Sequence, residues 1–280
     1  MSEHLEHRAE LLKLARLLNL DVEELPDLDA VPAAELRAFR EAATDRLFDA
    51  TAGTLGGISK SSRLVPAAVS ATIARKAFGP LLCARTAAAV DPPRAVDIAK
   101  RLPKDFLADV SVELDPRRVA DILAEVPDDL SVPVAEELGR RGEFVTMGRF
   151  LAFVSDAGIE GAMNSLSDEA LLQTAFVLEH KDKLGHAVSL LDPARMPGIL
   201  RCAAEQDLWP EALDLISHLD DAERLPVARA LASLDEEHLT SLVAALDEVD
   251  LWDTATDVLG MMEDGPARKR LVAASGGRVS

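Results

Sequence analysis

The chain restarts a helix at short, regular intervals, and this rhythm restricts its fold more than any other feature. Pro follows Asp at Asp91-Pro92, Asp115-Pro116 and Asp192-Pro193. An Asp carboxylate accepts hydrogen bonds from the free N–H groups of a first helical turn, and Pro at the first helical position forfeits no bond there. Each pair therefore predicts the opening of a new helix of roughly 10–14 residues. "LPKDFLADVSVE" from Leu102, "LDPRRVADILAE" from Leu114 and "VPDDLSVPVAEE" from Val126 repeat this design with a period of twelve.

A longer frame of nineteen residues aligns four times without gaps. It reads "VPDDLSVPVAEELGRRGEF" from Val126, "LSDEALLQTAFVLEHKDKL" from Leu166, "LDPARMPGILRCAAEQDLW" from Leu191 and "LDEEHLTSLVAALDEVDLW" from Leu234. The last positions are Phe144, Leu184, Trp209 and Trp252, and a second helical segment follows each. A helix, a tight turn and a return helix cannot bury their apolar faces alone, whereas stacked copies can. The expected fold is all-α, an irregular α-solenoid of short helical hairpins, because the frames start at unequal intervals.

Composition agrees with that class. There is no Tyr, apolar residues recur at three- and four-residue spacing, and β-alternation is scarce. The expected organisation is an N-terminal helical region over 1–50, a basic helical hairpin over 51–91, a repeat array over 92–275 and a disordered tail over 276–280. The two cysteines, Cys83 and Cys202, are too few for a disulfide framework and read as small, largely buried thiols in a reducing compartment. The N-terminus carries charges throughout, unlike a signal peptide, and no uncharged apolar run reaches the 18 or so residues of a membrane span. A cytoplasmic protein is expected.

Residues 95–129, "AVDIAKRLPKDFLADVSVELDPRRVADILAEVPDD", resemble the cytoplasmic N-terminal domain of MgtE-type magnesium transporters. They share its cadence of DIA, LP, LA, LDP and a closing V-P in twelve-residue helical units. The rhythm is also similar to the helical superhelix of the flagellar motor switch protein FliG. The resemblance implies an acidic helical superhelix which, in the transporter, takes part in magnesium sensing. Nothing here looks like that family's paired CBS domains or its transmembrane domain, and no magnesium-ligating acid matches residue by residue.

Individual residues give few chemical leads. Trp209 and Trp252 sit in matched "DLW" tripeptides and read either as anchors for a bound peptide or, more simply, as core residues of the hairpin, with the Asp at the helix N-terminus. Their equivalents Phe144 and Leu184 favour packing. His4 and His7 lie three apart among acids, but zinc needs a third or fourth convergent ligand; His180 and His186 flank the turn "HKDKLGH". The acid clusters Asp21–Asp29 and Asp220–Glu223 fit helix capping as well as weak magnesium binding. No nucleophile elbow, phosphate-binding glycine loop or zinc-protease helix is present. No catalytic residue, cofactor or metal ligand is assigned.

One block departs from the acidic background. The chain carries −19, yet the 41 residues between Asp49 and Asp91 contain no acid. Lys60, Arg63, Arg75, Lys76 and Arg85 give that block +5, leaving −24 on the rest. "TAGTLGGISK" reads as a flexible link, Pro66 as a helix start and Pro80 as the end of that helix, after which "PLLCARTAAAV" resumes. Val65, Val69 and Ile73 fall four apart on one face, with Ala67, Ala68, Ala71 and Ala74 allowing another helix to approach closely. The expected structure is a hairpin whose cations meet acids of the same chain or of a second copy.

Repeats without catalytic motifs predict a non-catalytic scaffold or adaptor that binds another protein along a concave face. The net charge favours a basic partner and argues against nucleic acid. A homo-oligomer is a further candidate partnership. Two alternatives are a magnesium-responsive regulatory module and an apolar-ligand or lipid-binding carrier. The carrier would touch lipid or a membrane surface through residues 51–90. The candidate contact residues are Lys60, Arg63, Arg75, Lys76, Arg85, Trp209 and Trp252.

Overall fold

The computed structural model describes residues 2–62, 65–276 and 278, with the backbone alone at 2, 48–62, 267 and 274. All the regular structure among these residues is helical, and no strand occurs. The caps explain where the helices begin. Ser155, Ser167 and Asp235 each accept the N–H three residues on, from Gly158, Ala170 and His238. Asp220 and Glu223 form a reciprocal capping box, both bonds 2.9 Å. That satisfies donors the first turn leaves free.

The Asp-Pro pairs behave less uniformly than expected. Asp91-Pro92 opens the α-helix Pro92–Ala99 directly. Asp115 and Asp192 instead accept from the N–H two residues on, at Arg117 and Ala194, and so open the 3-10 turns Pro116–Arg118 and Pro193–Arg195. A side-chain bond to i+2 tightens the chain into an Asx-type turn, so the α-helices begin one turn later, at Ala120 and Met196. The link expected at "TAGTLGGISK" is also overturned, because those residues continue the helix Ala33–Ser62. That helix crosses the 50/51 boundary drawn from composition.

Cα packing separates two units. The first comprises Met1–Leu12, Pro26–Ala33 and Ser167–Ser280, and the second comprises Lys13–Leu25 and Ala34–Leu166. Within the second, Gly79–Ala87, Lys104–Glu113, Asp128–Arg140 and Asp156–Ser165 pack in succession, as do Ala67–Ile73, Pro92–Ala99 and Ala120–Leu123. Within the first, Asp168–Phe176, Met196–Glu205, Asp221–Leu231 and Trp252–Gly260 form one succession, and Trp209–Ser217, Glu236–Val249 and Pro266–Ala274 another. Each unit is thus built from helices that meet their next-but-one neighbour. Close approach is permitted by small residues: a Cβ on Gly161 would meet Val132 Cγ2 at 2.7 Å.

The nineteen-residue frame acquires a structural meaning. Its last positions, Phe144, Leu184, Trp209 and Trp252, are each the first residue of the return helix. In three of the four frames the residue two before is left-handed: Gly142 at φ 74°, Asp207 at φ 57° and Asp250 at φ 50°. The Asp residues of the two "DLW" tripeptides therefore do not cap the following helix, as the sequence suggested. They reverse the chain out of the preceding one, a position that glycine fills without steric penalty.

Ion pairs fasten the second unit. Asp45, on the helix Ala33–Ser62, accepts Arg117 at 3.0 Å and Arg118 at 3.3 Å. Burial alone would raise the Asp115 carboxyl, but the hydrogen bond and charge of Arg117, with Arg149 nearby, hold it below the usual range. Glu137 accepts Arg140 Nε at 3.0 Å and Arg141 Nε at 2.7 Å. Arg141 also pairs with Asp109 and donates to Asp105 O, tying the helix Asp128–Arg140 to Lys104–Glu113.

Two predictions follow from these contacts. Asp250→Gly relieves the left-handed strain and stabilises by a few tenths to about 1 kcal/mol, whereas Asp250→Val costs about 1–2 kcal/mol; opposite shifts of the thermal midpoint check this. The bonds from Arg140, then Arg141, push Glu137 from 4.5 down to about 2. Its contribution is complete above pH 4.5 and is lost as pH falls towards 2. Glu137→Gln therefore destabilises at pH 7, and urea melts should show the gap to the parent narrowing as the pH is lowered through that window.

Candidate partner-binding face

Of the four alanines expected to let another helix approach, Ala67, Ala71 and Ala74 turn inward, whereas Ala68 is exposed. Ala67, Ala71 and Ala74 are buried at helical spacing, and the helix Ala67–Ile73 packs on Pro92–Ala99. Val69 and Ile73, expected beside the alanines on a packed face, are 47% and 39% exposed. This corrects the packing orientation inferred from sequence. A small side chain lets two helix backbones approach, so the alanine stripe takes the interface and the branched residues point outwards.

The chain then widens for one turn. Ala74–Phe78 is a π-helix, and Gly79, at φ 73°, donates its N–H back to Ala74 O. Pro80 has no N–H to continue an α-helical ladder, which accounts for the altered turn. The helix Gly79–Ala87 follows, as the sequence predicted. The wide turn leaves Arg75, Lys76 and Ala77 exposed in succession, while Ala74 stays buried. Leu81, one turn further on, is 53% exposed. Among the described residues neither Arg75 nor Lys76 makes an ion pair, and neither meets an acid of the chain as the hairpin reading anticipated. Arg85 is half-buried. Arg63 lies outside the described residues, as does the Lys60 side chain.

The tryptophans separate into two environments. Trp209 is 2% exposed, and its Nε1 donates to Ser241 Oγ at 2.9 Å. Trp252 is half-buried, donates to Asp247 Oδ1 at 3.1 Å and carries the Arg278 guanidinium 5.2 Å from its ring centroid. Of the tail, Gly276 and Arg278 are described, whereas Gly277, Val279 and Ser280 lie outside the described residues. His7 Nε2 lies 3.1 Å from Leu28 O, and His4, His180 and His186 are exposed. Among the described residues no three His, Cys, Asp or Glu side chains gather as a metal site. Cys83 and Cys202 are free and half-buried, and burial pushes the Cys83 thiol up to about 11.

A second polar feature escaped the sequence reading. In the first unit, fully buried Phe176 has the Arg8 guanidinium 5.6 Å and the Lys181 ammonium 5.4 Å from its ring centroid. Arg8 pairs with Glu211 at 2.9 Å and Lys181 with Asp214 at 2.8 Å. Both acids are buried on the helix Trp209–Ser217, and Glu211 Oε2 and Asp214 Oδ1 have no hydrogen-bond partner among the described residues. The available signal was two acids one turn apart inside the apolar run "WPEALDLISHL". Acids on an otherwise buried helix need cations from elsewhere.

No family model, curated protein or solved structure matches the chain. Among the described residues no helix is long and apolar enough to cross a membrane.

Removing one member of a buried pair exposes the cost of the other. Lys181→Met leaves buried Asp214 with only His218 Nδ1, 3.9 Å away, beside its carboxylate and should lower stability by about 3 kcal/mol, and adding Asp214→Leu should recover at least half of it. Equilibrium urea unfolding of the two variants measures both numbers.

Proposed function

We propose that the chain is a non-catalytic adaptor, an irregular α-solenoid scaffold, which binds another protein through the outward face of residues 66–81. One observation carries this reading. Val69, Ile73 and Leu81, three large aliphatic side chains, are exposed in the same short segment as the exposed Arg75 and Lys76. Exposed aliphatics in one short segment, with two cations that make no ion pair among the described residues, differ from apolar residues scattered singly, which are ordinary on any surface. Aliphatic anchors would supply the buried centre of a contact, and the charges at its edge would set orientation and choice of partner.

The next-but-one packing of helices within each unit supports the scaffold reading, because helical repeats present rigid outer faces of this kind. The absence of catalytic motifs noted from sequence is in keeping with a role carried by surface alone. The buried pairs around Phe176 fit a structural part, fixing Arg8 and Lys181 against the first unit's core.

The test compares capture by the parent protein with capture by Ile73→Asp. The substituted side chain is already exposed, so the thermal midpoint should change little. The parent is expected to retain one stoichiometric protein from native lysate and Ile73→Asp to lose it. Identical recovery by both would overturn the assignment to this face.

A further inference from the structure

The charge of the whole chain and the charge of this face select opposite partners. At −19 the molecule as a whole would attract a basic protein. The face itself carries two outward cations and belongs to a run of 41 residues without an acid. Screening limits electrostatic choice between exposed groups to about 8 Å at physiological ionic strength. Groups in contact therefore answer to Arg75 and Lys76 rather than to the net charge.

From this we infer that the partner of the face is an acidic amphipathic protein segment. It would lay an apolar stripe on Val69, Ile73 and Leu81 and place carboxylates against Arg75 and Lys76. The inference rests on the protein-binding reading above and specifies the chemistry of the partner. Charge complementarity selects this occupant over two others. A second copy using the same face would bring two cationic patches together, because a two-fold contact joins the same patch on both copies. An anionic bilayer would offer phosphates to the cations, but stable membrane attachment takes a larger basic cluster, of about 4–8 Lys or Arg, than the two cations here. A short acidic segment touches only the face.

The geometry suits a helical ligand. Val69 and Ile73 are one turn apart, and the π turn then presents Arg75 and Lys76 side by side before Leu81. An amphipathic helix presents its own apolar anchors one turn apart, a spacing that Val69 and Ile73 match.

Three labelled synthetic helices with one common apolar face and an acidic, an uncharged or a basic polar face test this with the full chain. Fluorescence anisotropy should show the acidic helix binding at least tenfold more tightly than the basic one, with the difference shrinking as salt rises. The exposed double variant Arg75→Glu/Lys76→Glu should invert the order, and Ile73→Asp should weaken all three. Equal binding of the three helices, or none, would overturn the acidic-partner inference. If captured partner is still lost with Ile73→Asp, the protein-binding reading survives that failure. If capture is also unchanged, both fall. Flotation with vesicles of phosphatidylcholine and phosphatidylglycerol that depends on Arg75 and Lys76, without acidic-helix binding, would assign the face to lipid and also overturn it.

Discussion

The helix pairs of this chain depend on what stands at the first position of each return helix. A left-handed residue at 142, 207 or 250 turns the chain, and two residues later the return helix opens on a large apolar side chain, buried at Trp209 and half-buried at Phe144 and Trp252. Trp209 shows the extreme case: buried throughout, with its one polar atom satisfied by Ser241 on the helix Glu236–Val249. Emptying such a site typically costs about 3–5 kcal/mol, a large share of a domain's net stability. The frame containing Leu184 uses a 3-10 turn, Lys181–Lys183, in place of the left-handed residue. The demand common to the four frames is an apolar opener; the route to it varies.

With its inner side taken by an alanine seam, the outer side of residues 66–81 is released from packing duty. Ala67, Ala71 and Ala74 hold the segment to its neighbour, so Val69, Ile73 and Leu81 are not needed for the core. The wide turn at Ala74–Phe78 then leaves Arg75 and Lys76 exposed in the same segment. Local backbone chemistry, a proline without an N–H and a glycine at positive φ, thus determines which side chains reach solvent together.

Much of the helical layout was legible in the residues. Ser155, Ser167, Asp220 and Asp235 cap where acids and serines precede apolar periodicity, because capping is a local bond between neighbours in sequence. The direction of the 67–74 face was not legible. Periodicity shows which residues share a stripe, but alanine and valine both count as apolar, and only the neighbouring helix decides which stripe it approaches. The helix through "TAGTLGGISK" was missed for a related reason: its glycines weaken local propensity, which the surrounding chain overrode. The pairs Arg8–Glu211 and Lys181–Asp214 join residues 203 and 33 apart, beyond the reach of any local pattern. Of the candidate contact residues, the structure exposes Arg75 and Lys76, half-buries Arg85 and Trp252 and buries Trp209.

The account stands or falls on whether the face of residues 66–81 is occupied by protein. A photo-crosslinking amino acid placed at Ile73 or Leu81, with exposed Thr240 as the control position, tests this most directly inside the source cell. The account predicts one discrete protein adduct, the same from Ile73 and Leu81 and absent from Thr240. No adduct at either position, or the same adducts from Thr240, would contradict it.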